Sequence, residues 1–410
     1  MVLDIAHQHP DLLGLYVVRI RDDAADEHIR GAGGVGQPFG DEPPGATLGR
    51  RDGQVTLTER LADRLGQVAL ELAVAGAGTL LGDGLLDLGK AHRVGIADDR
   101  HDKAGGRAGG DAHMDEVGFC VQSIDEEGRI WFVPLGGWWG HVLLAQRVDI
   151  LASSGRKIPG SIGCKPPHFL SAAERDKVLS LDQMYIDVGA RDLEEVLSWG
   201  IKVGDPIAPR GHFEEMASPG RYCCKAFDDR VGVGVMIEAF RAALTGGSSL
   251  SCQPIAVAAV QEEVGCRGAK TASHLSQPDL GIILEGTPAD DLPGMPRRQA
   301  VLGQGPQIRF MDPTTLSNRN LVRWTESLAE KNGIPVQIAV RKSGGTDAKT
   351  THLHGSGVPT VVIGVPARSI HTHSSMIDFE DYLNAIELVK SMVEELDTAT
   401  VESFTRYDEE

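Results

Sequence analysis

Residues 255–269 read IAVAAVQEEVGCRGA, and the architecture can be worked out from this run. Its first six residues are all apolar, which is typical of a strand buried on both faces of a parallel sheet. A pair of carboxylates, Glu262 and Glu263, follows the apolar residues almost at once. Because ligands of open α/β sheets bind at the carboxyl ends of the strands, this pair is expected at a functional edge.

Two further apolar strands lead to residues of the same kind. LGIIL ends directly at Glu285, and VPTVVIGV is followed after a short loop by His371. In DDRVGVGVMIEAFRAAL the apolar residues recur at helical spacing, so Asp228 is expected just before a helix that starts near Asp229. Strands that alternate with helices in this way predict α/β architecture with a parallel-type core.

The remaining sequence suggests a division into three parts. Residues 1–111 offer turn signals and charge with little apolar periodicity, and only residues 55–90 look helical. Short β-rich runs such as VGFCVQSIDEEGRIWFVPL fill residues 117–209. We therefore predict an atypical amino-terminal segment and an α/β domain formed by residues 112–116 and 210–410, interrupted by a β-rich insert.

Composition and charge exclude several kinds of partner. The net charge of -18 opposes binding to phosphate backbones and anionic lipid, so no nucleic-acid partner is expected. The most apolar stretch, VALELAVAGAGTLLGDGLLDL, carries three carboxylates, which predicts no membrane span. The first residues lack a basic region before a clean apolar core, so no secretory signal is predicted and a cytoplasmic location is expected.

The acidic and histidine residues fit a site for two divalent cations. Two cations about 3.5 to 4 Å apart need one bridging carboxylate and further His, Asp or Glu donors. We predict Asp228 as the bridge, and the other ligands as His113, Glu263, Glu285 and His371. Glu262 is left without a cation and is the predicted general base. Asp115 follows His113 by two residues and is expected to accept its imidazole N–H.

Such a site predicts hydrolysis at the amino terminus of a peptide. A metal pair lowers the pKa of bound water and polarises the scissile carbonyl, and the same positive centre can hold a free α-amine. The sequence therefore predicts a metal-dependent aminopeptidase with peptide substrates. Four other histidines have no strand-end position and are predicted not to be ligands, namely His212, His352, His354 and His373.

From about residue 112 to 396 the chain resembles a known family, the tetrahedral, dinuclear-metal aminopeptidases, which include glutamyl aminopeptidases and proteins labelled cellulase M. The ordered motifs that carry the resemblance are AHMDEVGF, KIPGSIGCKPPHFL, YIDVGARDLEEVLSWGIKVGDPI, KAFDDRVGVGV, VQEEVGCRGA, GGTDAKTTHLHGSGVPT and ARSIHTHSS. It implies a zinc-peptidase-like, three-layer catalytic domain with an inserted barrel-like domain that serves oligomerisation. It also implies two zinc or cobalt ions per subunit and a homo-oligomer, often a dodecamer.

The resemblance implies the same residue roles: ligand histidines at 113 and 371, a bridging aspartate at 228, the base at 262 and a ligand at 263. At Glu285 many relatives carry aspartate instead. The chain departs from the family before His113, where AGGRAGGDA replaces an apolar strand. Gly and Asp are poor residues for a central strand, so no regular strand is predicted there. We hypothesise that residues 1–111 are a replaced segment or one translated from a wrong frame.

Two alternatives compete with the aminopeptidase. An endoglucanase-type glycosidase could also use paired carboxylates, but only 5% of residues are aromatic, which leaves few stacking platforms for sugars. A catalytically inactive oligomeric relative is expected if the amino-terminal segment cannot complete the sheet. Inhibition by a chelator favours the peptidase over the glycosidase, and a metal content well below one ion per chain favours the inactive form.

Overall fold

The fold is described from a computed structural model, which gives the backbone of residues 16–18 and full detail for residues 106–246 and 249–406. The helix expected within residues 55–90 and most of the segment 1–111 lie outside the described residues. Among the described helices, none combines the length and the apolar character that crossing a membrane requires.

Strands and helices alternate through most of the described chain. The strands are β1 (Tyr16–Val18), β2 (Arg107–His113), β3 (Gly118–Ile124), β4 (Ile130–Leu135), β5 (Arg147–Leu151), β6 (Lys157–Gly163), β7 (Tyr185–Asp187), β8 (Pro206–Pro209), β9 (Glu214–Glu215), β10 (Arg221–Cys224), β11 (Gln253–Ala259), β12 (Leu280–Pro288), β13 (Gln307–Asp312), β14 (Thr315–Leu316), β15 (Gln337–Val340), β16 (Thr360–Arg368) and β17 (Ser375–Asp378). The helices are α1 (Ala172–Arg175), α2 (Leu193–Ser198), α3 (Phe227–Thr245), α4 (Arg267–Ser276), α5 (Arg319–Lys331), α6 (Ala348–Thr351), α7 (Phe379–Glu395) and α8 (Thr398–Ser403).

One mixed sheet forms the larger part of the fold. Among the described residues it has eleven strands, in the order β1-β11-β2-β12-β16-β17-β10-β9, with β13 to β15 attached beside β16. Its central strands β11, β2, β12 and β16 run parallel to one another. Their carboxyl ends therefore lie along the same edge of the sheet.

Strand β2 corrects the expectation that no regular strand leads into His113. The residues RAGGDAH pair with β11 along their whole length, from Arg107 to His113, and they also pair with β12. Residues 107–111, assigned from the sequence to the atypical segment, thus belong to the centre of the sheet. The low strand propensity of glycine is overridden here by pairing on both sides.

The glycines of β2 allow close packing on its two faces. A Cβ at Gly110 would lie 2.5 Å from Cζ of Phe240 in α3, and one at Gly109 would lie 3.1 Å from Cβ of Pro278, which follows α4. Successive strand residues point to opposite faces, so α3 and the end of α4 cover different faces of the sheet. Helix α7 packs against α3, and α6 packs against α4. The sheet therefore lies between two helical layers.

A closed barrel interrupts this domain in the sequence. Its six strands follow the order β3-β4-β7-β6-β5-β8, and they lie in sequence between β2 and β9 of the large sheet. Fully buried apolar side chains fill the barrel, including Phe119, Ile130, Ile150, Ile186 and Ile207. The predicted fold class, a three-layer α/β domain with an inserted barrel-like domain, is confirmed.

Candidate metal and catalytic site

The predicted site residues meet at the carboxyl edge of the parallel strands. His113 is the last residue of β2, Glu262 and Glu263 follow the end of β11, and His371 follows the end of β16. Glu285 differs from the prediction, because it lies inside β12, three residues before the strand ends. Strand β16 is equally long and pairs with β12 beyond Glu285, which keeps the backbone extended.

Asp228 lies between the two histidines. Its Oδ1 is 3.1 Å from Nε2 of His113, and its Oδ2 is 3.2 Å from Nε2 of His371. A second carboxylate accompanies each histidine: Oε1 of Glu285 is 3.4 Å from Nε2 of His113, and Oε2 of Glu263 is 3.4 Å from Nε2 of His371. We call these sets the His113 half and the His371 half, with Asp228 shared between them.

Glu262 stands beside the His113 half without belonging to either half. Its Oε2 is 3.9 Å from Nε2 of His113, farther than the carboxylates of Asp228 and Glu285. Its Oε1 accepts a hydrogen bond from Sγ of Cys266 at 3.2 Å. Burial raises the pKa of Glu262, while the nearby charge of His113 acts in the opposite direction.

Asp115 takes a different position from the one expected. Nδ1 of His113 faces the backbone carbonyl of Asp115 at 3.0 Å, whereas the nearer carboxylate oxygen lies 3.6 Å away. The carboxylate instead accepts the backbone N–H groups of Glu262 at 3.1 Å and Glu263 at 3.3 Å. Because β2 ends at His113, Asp115 does not lie two residues along a regular strand, and its side chain turns toward the chain after β11.

The buried carboxylates fit divalent cations. Oε1 of Glu263 and Oε2 of Glu285 are buried and have no hydrogen-bond partner. Burial and repulsion from Asp228 raise the pKa of Glu263 to about 9 and that of Glu285 to about 8. Such groups ionise at neutral pH only beside a strong positive charge, which a divalent cation would supply. The residues present therefore suit a metal site.

The two histidines and Asp228 already attract one another. Burial alone would lower the pKa of His371, but the hydrogen bond to Asp228 and the charge of Glu263 raise it to about 9. For Asp228 burial acts upward, yet the hydrogen bonds from His113 and His371 hold its pKa below the usual range. Protons on the histidines thus occupy the positions that cations would take.

Strained backbone surrounds the site. Five non-glycine residues beside or within it have positive φ angles: Ala226 at 61°, Gln261 at 62°, Cys266 at 54°, Ser369 at 55° and His371 at 57°. Left-handed conformations cost free energy for residues with a side chain, and they cluster at functional sites. Here they turn the chain just before Asp228, just before Glu262 and at His371 itself.

Asp229 is a site residue that the sequence analysis missed. The bounds of helix α3 include Phe227, but Asp228 and Asp229 have non-helical φ and ψ angles and a cis peptide bond joins them, so the regular helix begins after Asp229, close to the predicted start. Oδ2 of Asp229 accepts the backbone N–H of His113 at 3.1 Å, and the residue lies within ligand reach of His113 and Glu285. The doubled aspartate is the available signal, and in the sequence it reads equally well as the start of a helix.

A second missed group lies near Glu262. Asp347 is 1% exposed, neither of its carboxylate oxygens has a hydrogen-bond partner, and it lies close to Glu262 and Cys266. Burial and the neighbouring Asp111 raise its pKa well above the ordinary value. The glycine-rich run GGTDA was the only signal, and nothing in it points toward β11.

The four histidines predicted not to be ligands lie outside both halves. His212 is exposed, and ring nitrogens of His352 and His373 lie 2.5 Å and 3.1 Å from backbone carbonyl oxygens. His354 lines a cavity at the opposite edge of the sheet, beside Arg107 at the start of β2.

Comparison with known proteins agrees with this geometry. A model of the M42 glutamyl aminopeptidase family matches residues 96–388. The putative aminopeptidase FrvX of Escherichia coli is 36% identical over 297 residues, which are 72% of this chain and 82% of that protein. Glutamyl aminopeptidase of Lactococcus lactis is 34% identical with the same two shares, 72% and 82%. Lysyl aminopeptidase of Pyrococcus furiosus is 32% identical over 70% of this chain and 80% of that protein.

Solved structures show the same likeness. The TET aminopeptidase of a marine sediment Thaumarchaeota archaeon is 40% identical with a TM-score of 0.71, over 74% of this chain and 85% of that chain. A Pyrococcus horikoshii TET1 peptidase that can assemble into a tetrahedron or a large octahedral shell is 30% identical with a TM-score of 0.63. The match covers 71% of this chain and 84% of that chain. A Thermotoga maritima structure described as an endoglucanase is more distant, at 28% identity and a TM-score of 0.59, over 83% of this chain and 94% of that chain. The chain belongs to the M42 glutamyl aminopeptidase family and is a metal-dependent aminopeptidase.

Proposed function

We propose that this aminopeptidase uses two divalent cations, zinc or cobalt, one in each half of the site. The observation that supports this arrangement is the orientation of Asp228, whose two carboxylate oxygens face the two histidines separately. The remaining ligands in the proposal are His113 and Glu285 in one half, and His371 and Glu263 in the other. When bound, such a pair polarises a carbonyl group and lowers the pKa of water.

In this proposal Glu262 is the general base that transfers a proton during peptide hydrolysis. It takes a proton from the attacking water and returns it to the amine that leaves when the peptide bond breaks. Its carboxylate is close to the centre yet outside both halves, which leaves it available for this role. Asp115 positions the chain that carries it, because its carboxylate accepts the backbone N–H groups of Glu262 and Glu263.

The substrate is proposed to reach the centre from the His371 half. The side chain of His371 is 32% exposed, whereas that of His113 is 2% exposed. A peptide amino terminus can therefore approach one half from solvent while the other stays covered. The relatives are named for glutamyl and for lysyl residues, so both kinds of amino-terminal residue belong in the test.

The test compares wild type with Glu262→Gln on a panel of aminoacyl p-nitroanilides, including glutamyl and lysyl forms, with added cobalt or zinc. We expect the variant to bind as much metal as wild type and to lose about 10²- to 10⁴-fold in kcat, the usual contribution of a positioned base. Glu127→Gln, a change of the same kind on an exposed barrel turn, should leave kcat unchanged. A fully active Glu262→Gln enzyme would contradict the assignment.

We also propose that the chain forms a cytoplasmic homo-oligomer, such as a dodecamer, through an oligomerisation domain at residues 117–209, with residues 112–116 and 210–410 as the catalytic domain. Exposed apolar side chains in the barrel segment support this, because such patches mark interfaces. They include Trp139, Phe169, Val178, Leu197 and Val203. Light scattering after size-exclusion chromatography tests the assembly, and Trp139→Ser together with Phe169→Ser should reduce its mass.

A further inference from the structure

The barrel sends one loop into the proposed metal site. Residues 136–138 follow β4 of the barrel, and the backbone carbonyl of Gly137 accepts a hydrogen bond from Nδ1 of His371 at 2.7 Å. With Nδ1 held as the donor to this carbonyl, Nε2 is the nitrogen that faces Asp228 at 3.2 Å and the one that a cation would take. A carbonyl in this position fixes both the tautomer and the direction of a ligand histidine.

The same loop also touches the second carboxylate of the His371 half. Gly136 has a φ of +86°, and a Cβ there would lie 3.0 Å from Oε2 of Glu263 and 2.7 Å from Cγ1 of Val117. The bare backbone of Gly136 therefore packs directly on the oxygen that faces His371. A side chain at this position would have to displace Val117, Glu263 or the loop itself.

Trp138 fastens the loop to the barrel core. Its ring stacks on Phe119 with centroids 4.8 Å apart, and its Nε1 donates to the carbonyl of Gly118 at 3.0 Å. On its other side the ring lies 5.7 Å from His373, whose Nε2 is 3.1 Å from the carbonyl oxygen of Arg147 in β5. The segment that carries His371 is thus held between the loop and the barrel.

The His113 half has no such contact with the loop. Nδ1 of His113 faces the carbonyl of Asp115, and its backbone N–H donates to Asp229. Neither of these residues lies in a strand of the barrel. The two halves are therefore oriented by different parts of the fold.

We propose that the loop Gly136–Trp138 is a positioning element for the His371 half alone, so that the barrel controls how tightly one of the two cations binds. The inference rests on the proposed two-cation centre. It gives the insert a role inside each subunit, beyond contacts between subunits. It also predicts that a substitution in the loop weakens binding of the cation in the His371 half and leaves the other affinity unchanged. General destabilisation of the fold would weaken the binding of both cations.

The test uses Gly136→Ala with Gly155→Ala as its matched control. Gly155 lies in another barrel loop with a φ of +80°, and nothing lies within 4 Å of its added Cβ, so it brings the same backbone strain without the contact. Full-length proteins are stripped by a chelator, titrated with Co²⁺, and followed by visible absorption and by elemental analysis. We expect two cations in wild type and in Gly155→Ala, and in Gly136→Ala one unchanged affinity and one weakened about 10- to 100-fold.

Trp138→Phe provides a second variant that keeps an aromatic ring at this position but removes the Nε1 donor, and it should weaken binding of the same cation by a smaller factor. Two unchanged affinities in both variants would overturn the inference, as would equal weakening of both cations in Gly136→Ala. If Gly136→Ala does not fold, Trp138→Phe decides by the same criterion. Wild type that binds fewer than two Co²⁺ ions would overturn the proposed two-cation centre itself, and with it the inference.

Discussion

Sγ of Cys266 lies 3.2 Å from Oε1 of Glu262, four residues earlier in the chain. The backbone of Cys266 has a φ of 54°, and its N–H donates to the carbonyl of Glu262 at 2.9 Å. A tight turn between β11 and α4 thus places the thiol next to the carboxylate of the proposed base. A thiol proton directed at a carboxylate stabilises its charged form, the form in which a base can accept a proton.

Replacing this thiol tests whether it assists the base. In Cys266→Ala the carboxylate of Glu262 loses a donor, so its pKa should rise and the acidic limb of the kcat/KM profile should move to higher pH by up to about one unit. Cys266→Ser supplies a hydroxyl donor and should restore the limb. The pH dependence of kcat/KM is measured for the three proteins. If the acidic limb of the Cys266→Ala profile lies at the same pH as in wild type, the thiol does not affect the pKa of Glu262.

The position of the site could be predicted from the sequence because strand ends and motif residues are local features. The strands that precede Glu262, Glu285 and His371 are short apolar runs. Parallel pairing brings the ends of these strands together regardless of the length or conformation of the connecting loops. The assignment of Asp228 to the site rests on its position just before a predicted helix. The six residues predicted for the site lie together: His113, Asp228, Glu262, Glu263, Glu285 and His371.

What the sequence did not reveal depends on contacts between distant residues. The strand β2 looked improbable because RAGGDAH has weak strand propensity, yet β11 and β12 pair with it on both sides. The link between Gly137 and His371 spans 234 residues and uses a backbone carbonyl, which leaves no trace in the choice of side chain. Asp347 reaches Glu262 only through the packing of a loop.

The contact between Gly110 and Phe240 makes a prediction about stability. A methyl group at residue 110 would lie 2.5 Å from Cζ of Phe240, which is 2% exposed and has little room to move. Gly110→Ala should therefore cost about 1 to 3 kcal/mol of unfolding free energy through overpacking. Combining it with Phe240→Leu should cost less than the sum of the two single changes. Denaturant unfolding of all four proteins measures the coupling, and strict additivity would contradict the proposed clash.

Metal loading should release protons at neutral pH. In the metal-free protein burial and Asp228 raise the pKa of Glu263 to about 9 and that of Glu285 to about 8, so this cluster holds protons at pH 7 that a cation has to displace. Cations bind the deprotonated ligands and displace these protons, so apparent affinity should increase from pH 6 to pH 9.

Calorimetry in two buffers of different ionisation enthalpy counts the protons. We expect more than one per chain for wild type at pH 7, and fewer for Glu285→Gln, which has no proton to lose at that position. A titration in which the observed heat is the same in both buffers would mean that no protons leave. The raised pKa values would then not describe the metal-free site.

Asp381 links the first turn of α7 to a distant loop. Acidic residues in a first turn favour the helix dipole, but this one also has partners outside the helix. In the structure it is 0% exposed, and its two oxygens accept the N–H groups of Gly303 at 2.7 Å and Gly305 at 2.6 Å. It therefore fastens a distant loop to the helix. Burial raises its pKa to about 6, although the two backbone donors act in the opposite direction.

This raised pKa gives a stability profile with a definite sign. The ordinary value is 3.8, so between about pH 4 and pH 6 the folded chain keeps a proton that the unfolded chain has lost. The contribution of Asp381 to stability is therefore largest below pH 4, falls as the pH rises through this window, and is constant above it. Asp381→Asn has no charge to gain, so its stability relative to wild type should improve by about 2 to 3 kcal/mol between pH 4 and pH 7. Unfolding of metal-free protein at several pH values measures this difference, with Glu127→Gln as an exposed control expected to show almost none. A difference that stays level across the window would mean that the two backbone donors balance burial, and one that moves in the other direction would mean that they outweigh it.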